Sequence, residues 1–195
     1  MKVYLQKYKA VLFDLYGTLV QIQNPTSPYR EIMRLCNLGD SDKQKFKTLA
    51  MTTKLSIDEI CKEFGVSLDT DAKSKFEADI ELELKSIAPK QYTNDILKKA
   101  KVLGLKTAII SNLAKEYGQP SFLFDVDLRV LSFEVGMLKP SPEIFQCALE
   151  HFGLEAKDCL MIGDKDELDL EPFRKLGGDT HFIKNKNFKL ENLTS

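Results

Sequence analysis

Three short apolar runs, each closed by a polar residue, constrain this chain more than any other feature. Lys9-Ala10-Val11-Leu12-Phe13 ends on Asp14, Lys106-Thr107-Ala108-Ile109-Ile110 ends on Ser111, and Cys159-Leu160-Met161-Ile162-Gly163 ends on Asp164. Apolar runs of this length, bounded by turn-forming residues, read as strands buried on both faces, as in parallel sheets covered by helices. In open sheets of that kind the chemistry sits in the crevice beyond the carboxyl ends of the strands. A carboxylate or hydroxyl at that point is held by a rigid element and opens into the crevice. Gly17-Thr18 break the first run soon after Asp14.

The stretches between the runs follow two patterns. From Thr93 onward strands and helices alternate. Thr93 is placed to cap a helix carrying Ile96, Leu97, Ala100 and Leu103, with Gly104 just past its end. A short strand is expected near 128–133. Ser141 then precedes Pro142 and Glu143, a helix start, and Ile144, Phe145, Ala148, Leu149 and Phe152 form its inward face up to Gly153. A strand over 159–163, a helix over 167–176, the pair Gly177-Gly178 and a strand over 180–183 complete the series. Repeated βα units predict a doubly wound α/β core with a mostly parallel sheet. Residues 30–87 differ, being charged and helix-like with few strand signals. Ser56-Ile57-Asp58-Glu59 is a capping box that opens a short helix, which Gly65 can end. Phe76, Ile80, Leu84 and Ile87 mark the inward face of a helix over 71–86. The expected organisation is a core built from residues 1–19 and 89–195, a helical cap domain over 20–88, and a polar tail over 185–195 that frays.

A chain of 195 residues with 43% hydrophobic content can bury a core of its own. Its charges nearly cancel, at net −1, so no nucleic-acid footprint is present. No apolar run approaches the ~20 residues that span a bilayer, and MKVYLQKYKA at the amino terminus lacks the apolar segment of a signal peptide. Cys36, Cys61, Cys147 and Cys159 show no C-x-x-C spacing and no neighbouring histidine, and read as free thiols in a cytoplasmic protein. His151 and His181 have no partner pattern and read as structural.

The polar residues at the run ends form a chemically coherent set. Asp14 is a candidate nucleophile, able to attack with one oxygen and to bind a metal with the other. Asp164 and Asp169 lie across the start of a helix and, with Asp14, make an oxygen-rich site. Oxygen donors without Cys or His suit Mg²⁺. Lys139 supplies positive charge for a phosphoryl group. The hydroxyls of Ser111 and Thr18 and the backbone N–H of Asn112 can donate to phosphoryl oxygens. Asp166 and Glu167 read as acids favoured by the helix dipole.

Asp14-x-Tyr16-Gly17-Thr18, Ser111-Asn112, Lys139-Pro140 and Gly163-Asp164 with Asp169, in this order, resemble the haloacid dehalogenase superfamily, whose members are mostly phosphatases. The resemblance covers residues 9–18 and about 94–183. It implies a Rossmann-like core with a helical cap after the first strand and an aspartyl-phosphate on Asp14. It also implies that the backbone carbonyl of Tyr16 completes the Mg²⁺ shell. One departure matters. Most phosphatases of the superfamily carry a second Asp, the general acid and base, where this chain has Tyr16. Such help contributes ~10²–10⁴-fold in rate, and a phenol with a pKa of about 10 replaces it poorly. Either the leaving group needs no proton, as for a halide or an acyl phosphate, or the protein turns over slowly and mainly binds.

The dehalogenase branch does carry Asp-x-Tyr-Gly-Thr. It has Ser at the position of Asp164, Tyr at that of Phe145, and an arginine-bearing segment that Arg30 and Arg34 do not match. Lys165 departs from the usual small hydroxyl residue. The favoured expectation is a Mg²⁺-dependent phosphatase acting on a small phosphate ester or acyl phosphate, with Asp14, Tyr16 and Lys139 as its catalytic candidates. Dehalogenation through the same Asp14, and a catalytically weak binding module, remain as alternatives. Receiver domains are shorter and carry their aspartate after the third strand. Neither nucleic acid nor membrane is an expected partner.

Overall fold

The computed structural model describes residues 3–183 together with 193–194. In chain order the elements are β1 (Val3–Tyr4), β2 (Ala10–Phe13), β3 (Val20–Ile22), α1 (Pro28–Leu35), α2 (Asp40–Thr52), α3 (Ile57–Lys62), α4 (Thr70–Lys85), β4 (Ile87–Pro89), α5 (Thr93–Val102), β5 (Lys106–Ser111), β6 (Leu128–Leu131), α6 (Ser132–Val135), α7 (Pro142–Phe152), β7 (Cys159–Gly163), α8 (Glu171–Lys175), β8 (Asp179–Phe182) and β9 (Leu193–Thr194).

The apolar runs become the middle of a five-stranded, all-parallel sheet in the order β6-β5-β2-β7-β8. Side chains alternate across it with the two-residue period of a strand. Val11, Phe13, Ile109, Leu160 and Ile162 face one layer, where α5 brings Ile96 and Ala100. Ala10, Leu12, Ala108, Ile110 and Met161 face the other, against Ile144, Phe145 and Ala148 of α7 and Phe173 of α8. Because both faces are covered, the central strand β2 is buried along its whole length. The strand order reverses at β2, so the crevice expected of a doubly wound sheet opens at its carboxyl end.

Helices α1–α4 form an insert with a core of its own, centred on Ile32, Phe46, Ile60, Phe76 and Ile80. The capping box is present: Ser56 Oγ accepts from Glu59 N, and Glu59 Oε2 accepts from Ser56 N at 2.7 Å. Asp69 caps α4 by accepting from Ala72 N at 2.8 Å. No described residue between 30 and 86 lies in a strand. The chain enters and leaves the insert through an antiparallel ribbon, β3 with β4, in which Val20 pairs with Pro89 and Ile22 with Ile87. Three-residue strands are too short to show a period in the sequence.

Several local expectations are corrected. Tyr92, not Thr93, occupies the N-cap of α5, and Thr93 Oγ donates instead to Leu19 O at 2.6 Å, tying the helix to the loop after β2. Ser141 sits at the N-cap of α7, but its hydroxyl donates to the Glu143 carboxylate rather than accepting from the helix. The helix expected over 167–176 begins with a π-helical turn, Asp166–Leu170, before α8. The strand near 128–133 stops at Leu131. Of the polar tail, 184–192 and 195 lie outside the described residues, while Leu193–Thr194 pair in parallel with Val3–Tyr4. No described helix is long and apolar enough to cross a membrane.

Phe145 is fully buried and packs on Phe173 with ring centroids 5.7 Å apart. Replacing it with Ala leaves a cavity against the sheet. Phe145→Ala should lower the unfolding free energy by about 3–5 kcal/mol, read from urea denaturation midpoints at unchanged slope.

Candidate active site

Strand register brings the run-end residues together. Phe13 pairs with Ile109 on one side and Ile162 on the other. Asp14 follows at the level of Ile110 and Gly163, with Ser111 and Asp164 one residue further along, so the three leave adjacent strands at the same end of the sheet, and Asp14 N donates to Ile162 O at 3.0 Å. Lys139 arrives from the loop between α6 and α7, and Asp169 from the π-helical turn.

Lys139 is the centre of the arrangement. It is 4% exposed, and its Nζ donates to Asp14 Oδ1 at 2.7 Å, Asp169 Oδ1 at 2.6 Å and Ile110 O at 2.9 Å. All three of its protons are thus used. Burial alone would lower its pKa. The carboxylates of Asp14 and Asp169 more than offset that and hold the ammonium charged. Asn112 fixes the backbone beneath it: Asn112 Nδ2 donates to Lys139 O and Oδ1 accepts from Lys139 N, both at 2.8 Å. Ser111 Oγ reaches Asp14 Oδ1 at 3.4 Å.

The site carries more negative charge than its lysine can balance. One oxygen each from Asp14, Asp164 and Asp169 lie within 4.8 Å of one another. Asp14 Oδ2 and Asp164 Oδ1 are buried with no protein partner. An unpartnered buried polar atom costs roughly 1–3 kcal/mol. Burial, and next the charge of Asp14, push the Asp164 carboxyl up to about 6. Converging hard oxygen donors with unused lone pairs fit a small divalent cation such as Mg²⁺.

Two glycines make this convergence possible. Gly17 has φ +94°, a left-handed conformation, and a Cβ there would lie 2.1 Å from Asp164 Oδ2. A Cβ on Gly163 would lie 2.5 Å from that of Asp169.

The remaining sequence candidates are placed less centrally. Thr18 is fully buried, its Oγ1 without a partner and its carbonyl accepting from Tyr92 Oη at 2.8 Å. Tyr16 directs its hydroxyl to Tyr117 O at 3.0 Å, and burial, with the charge of Glu83, raises its pKa. The side chain of Asn112, considered only for its backbone N–H, holds Lys139. Glu83 escaped the sequence reading. It is 3% exposed, and its carboxylate accepts from Thr26 N, Thr26 Oγ1, Ser27 N and Tyr117 Oη. Its spacing from Phe76 and Ile80 was the available signal, since an acid on the inward face of a helix needs partners.

Comparison with known proteins bears on the family and the fold. A family model described as haloacid dehalogenase-like hydrolase matches residues 8–177. The chain belongs to the haloacid dehalogenase-like hydrolases. Within this family, it is 30% identical over 99 residues to a glyceraldehyde 3-phosphate phosphatase of Methanocaldococcus jannaschii, a match spanning 47% of this chain and 42% of that enzyme. Less than half of that relative is therefore covered. A HAD-family enzyme of Bacteroides thetaiotaomicron superposes with a TM-score of 0.69 at 19% identity, over 92% of this chain and 95% of that one. The same enzyme in complex with magnesium and inorganic phosphate gives 0.64 at 18%, over 93% and 96%. A predicted phosphoglycolate phosphatase from Haemophilus somnus gives 0.61 at 19%, over 92% and 86%. At these identities the structural likeness concerns the fold.

The raised carboxyl of Asp164 has a thermodynamic consequence in this hydrolase. Folded, it holds its proton up to about pH 6, whereas an unfolded Asp releases it near 3.9. Between those values the folded state binds a proton that the unfolded state lacks, so this group favours folding as the pH falls. In chelator, wild type should gain stability relative to Asp164→Asn as the pH drops from about 7 to about 5, and should be the less stable of the two above pH 7. Paired urea titrations across that range read the difference.

Proposed function

We propose that this chain is a Mg²⁺-dependent phosphatase that hydrolyses a small phosphorylated metabolite through an aspartyl-phosphate on Asp14. The observation that carries this reading is the Lys139 ammonium, shared at 2.6–2.7 Å between Asp169 and Asp14, beside unpartnered oxygens of Asp14 and Asp164. It is supported by a phosphatase among the relatives and by magnesium and phosphate in a structure of like fold.

In this reading Asp14 is the nucleophile. Its carboxylate attacks phosphorus, the bond to the leaving group breaks, and water later hydrolyses the acyl phosphate and frees Asp14. Lys139 neutralises charge on the phosphoryl oxygens, the main catalytic task in such transfers. Ser111 Oγ, Thr18 Oγ1 and the Asn112 N–H donate to the same oxygens. Asp14, Asp164, Asp169 and the Tyr16 carbonyl would hold Mg²⁺, which supplies further positive charge against the phosphoryl group. The insert over 20–88 serves as the cap domain on a core of 1–19 and 89–195. The free thiols suit a cytoplasmic setting.

Tyr16 supplies no general acid here. Its proton is donated to Tyr117 O, and its pKa is raised. The leaving group departs without protonation by the protein, so acyl and aryl phosphates should turn over faster than alkyl phosphates. Tyr16→Asp should accelerate alkyl phosphates selectively, by up to ~10²–10⁴-fold. Asp14→Asn should abolish phosphate release while the far-ultraviolet circular dichroism stays unchanged. The assay is phosphate release with Mg²⁺ beside halide release from 2-haloacids in chelator. Halide release by the wild type without metal would replace this reading with a dehalogenase.

A further inference from the structure

The geometry points to an aryl phosphate as the substrate: an apolar aromatic body, leaving as a phenolate, seated in the cavity between the insert and the sheet. This rests on the phosphatase reading above and adds the chemistry of the leaving group.

The cavity measures about 380 Å³ and lies between α1, α2 and α4 on one side and the loops after β2 and β5 on the other, within the range of small-molecule sites. Its lining reaches the site through chain neighbours, Tyr16, two residues past Asp14, and Asn112, next to Ser111, while Asp14 itself is not part of the wall. Its walls are the rings and apolar chains of Tyr16, Tyr29, Phe46, Met51, Leu113 and Tyr117. The rings form a continuous surface. Tyr16 meets Tyr117 edge-on at 5.9 Å, and Tyr29 lies 6.4 Å from Tyr117 and 6.5 Å from Phe46.

The phenol hydroxyls, the Glu83 carboxylate and the Asn112 amide on these walls are already engaged. Tyr16 donates to Tyr117 O, Tyr117 to Glu83 Oε2 at 2.5 Å, and Tyr29 to Glu116 Oε2 at 2.6 Å. Both carboxylate oxygens of Glu83 accept from the protein. Both ends of the Asn112 amide are held by the Lys139 backbone. A polyol phosphate would give up its water here and find ring carbon in return, and unpaired polar groups weigh heavily against a ligand. An aromatic body loses little water and gains offset or edge contacts with three or more rings. The exposed cations Arg30 and Lys47 on the same cavity favour an anionic ligand.

The missing acid at position 16 favours the same class over alkyl phosphates, as it also favours acyl phosphates. A phenol ionises near pH 10, like tyrosine, whereas an alkanol, like water, is a far weaker acid. A phenolate therefore leaves with its electron pair as the P–O bond breaks and takes its proton from solvent. Asp14 holds the phosphoryl group until water attacks phosphorus and releases inorganic phosphate. The balance is aryl phosphate plus water to phenol plus phosphate.

The test separates the body of the substrate from its leaving ability. Phosphate release is measured with Mg²⁺ on 1-naphthyl phosphate, acetyl phosphate and glycerol phosphate. Binding of naphthylmethylphosphonate and methylphosphonate, which cannot be hydrolysed, is measured by calorimetry. Acetyl phosphate has the better leaving group, so a kcat/KM at least tenfold higher on naphthyl phosphate reports the cavity. The naphthyl phosphonate should bind at least tenfold tighter than the methyl one, and Met51→Lys should narrow both ratios. Phosphate release without these preferences overturns the aryl assignment and leaves the phosphatase standing. No release from any of the three compounds removes the phosphatase reading and this inference with it.

Discussion

Everything at the crevice depends on one buried ammonium. Lys139 is held by two carboxylates and a main-chain carbonyl, with its own backbone clamped by Asn112. Removing a buried cation from such a cluster leaves uncompensated charge, which costs far more than an exposed ion pair is worth. The lysine thus joins three separate segments: the end of β2, the turn before α8 and the loop before α7. Its contact with Ile110 O adds the end of β5. The site is a structural junction between these segments.

That junction is still short of positive charge. Three carboxylates crowd one cation, and two of their oxygens have no partner. A protein retains such an imbalance where a further charge is to be bound, since the cost of assembling the acids is met by the ligand that binds among them. The glycines at 17 and 163 belong to the same account. Each lets a backbone approach a carboxylate more closely than any side chain would allow.

Much of this was legible in the sequence, for a physical reason. Strands buried on both faces have to be continuously apolar, so 9–13, 106–110 and 159–163 declared themselves, and the residue after each run had to lie at the crevice. Asp14, Ser111 and Asp164 follow from that alone. The insert was legible from its helical spacing and its capping box. What escaped depends on partners far apart in the chain. The Asn112 clamp joins residues 27 positions apart, the Tyr16–Tyr117 bond 101, and the Glu83–Tyr117 bond 34. No local pattern encodes such pairings. Leu84 was expected on the buried face of α4, and Glu83 is the deeply buried one, because a satisfied carboxylate can take a place that hydropathy assigns to a leucine.

The β3–β4 ribbon has a consequence for how this chain can change. It hydrogen-bonds the strand leading into the insert to the strand leading out, with Val20 opposite Pro89. Seen from the sheet, the whole insert begins and ends at one place. Lengthening a loop whose ends stay together costs little, about 0.6 kcal/mol per doubling. The helices beyond the ribbon can be shortened, extended or exchanged while the sheet's register and the lysine junction stay as they are. The ribbon is the covalent path between helices and sheet, and the bonds of Glu83 with Tyr117 and of Tyr29 with Glu116 are the further ties that any exchanged insert has to replace.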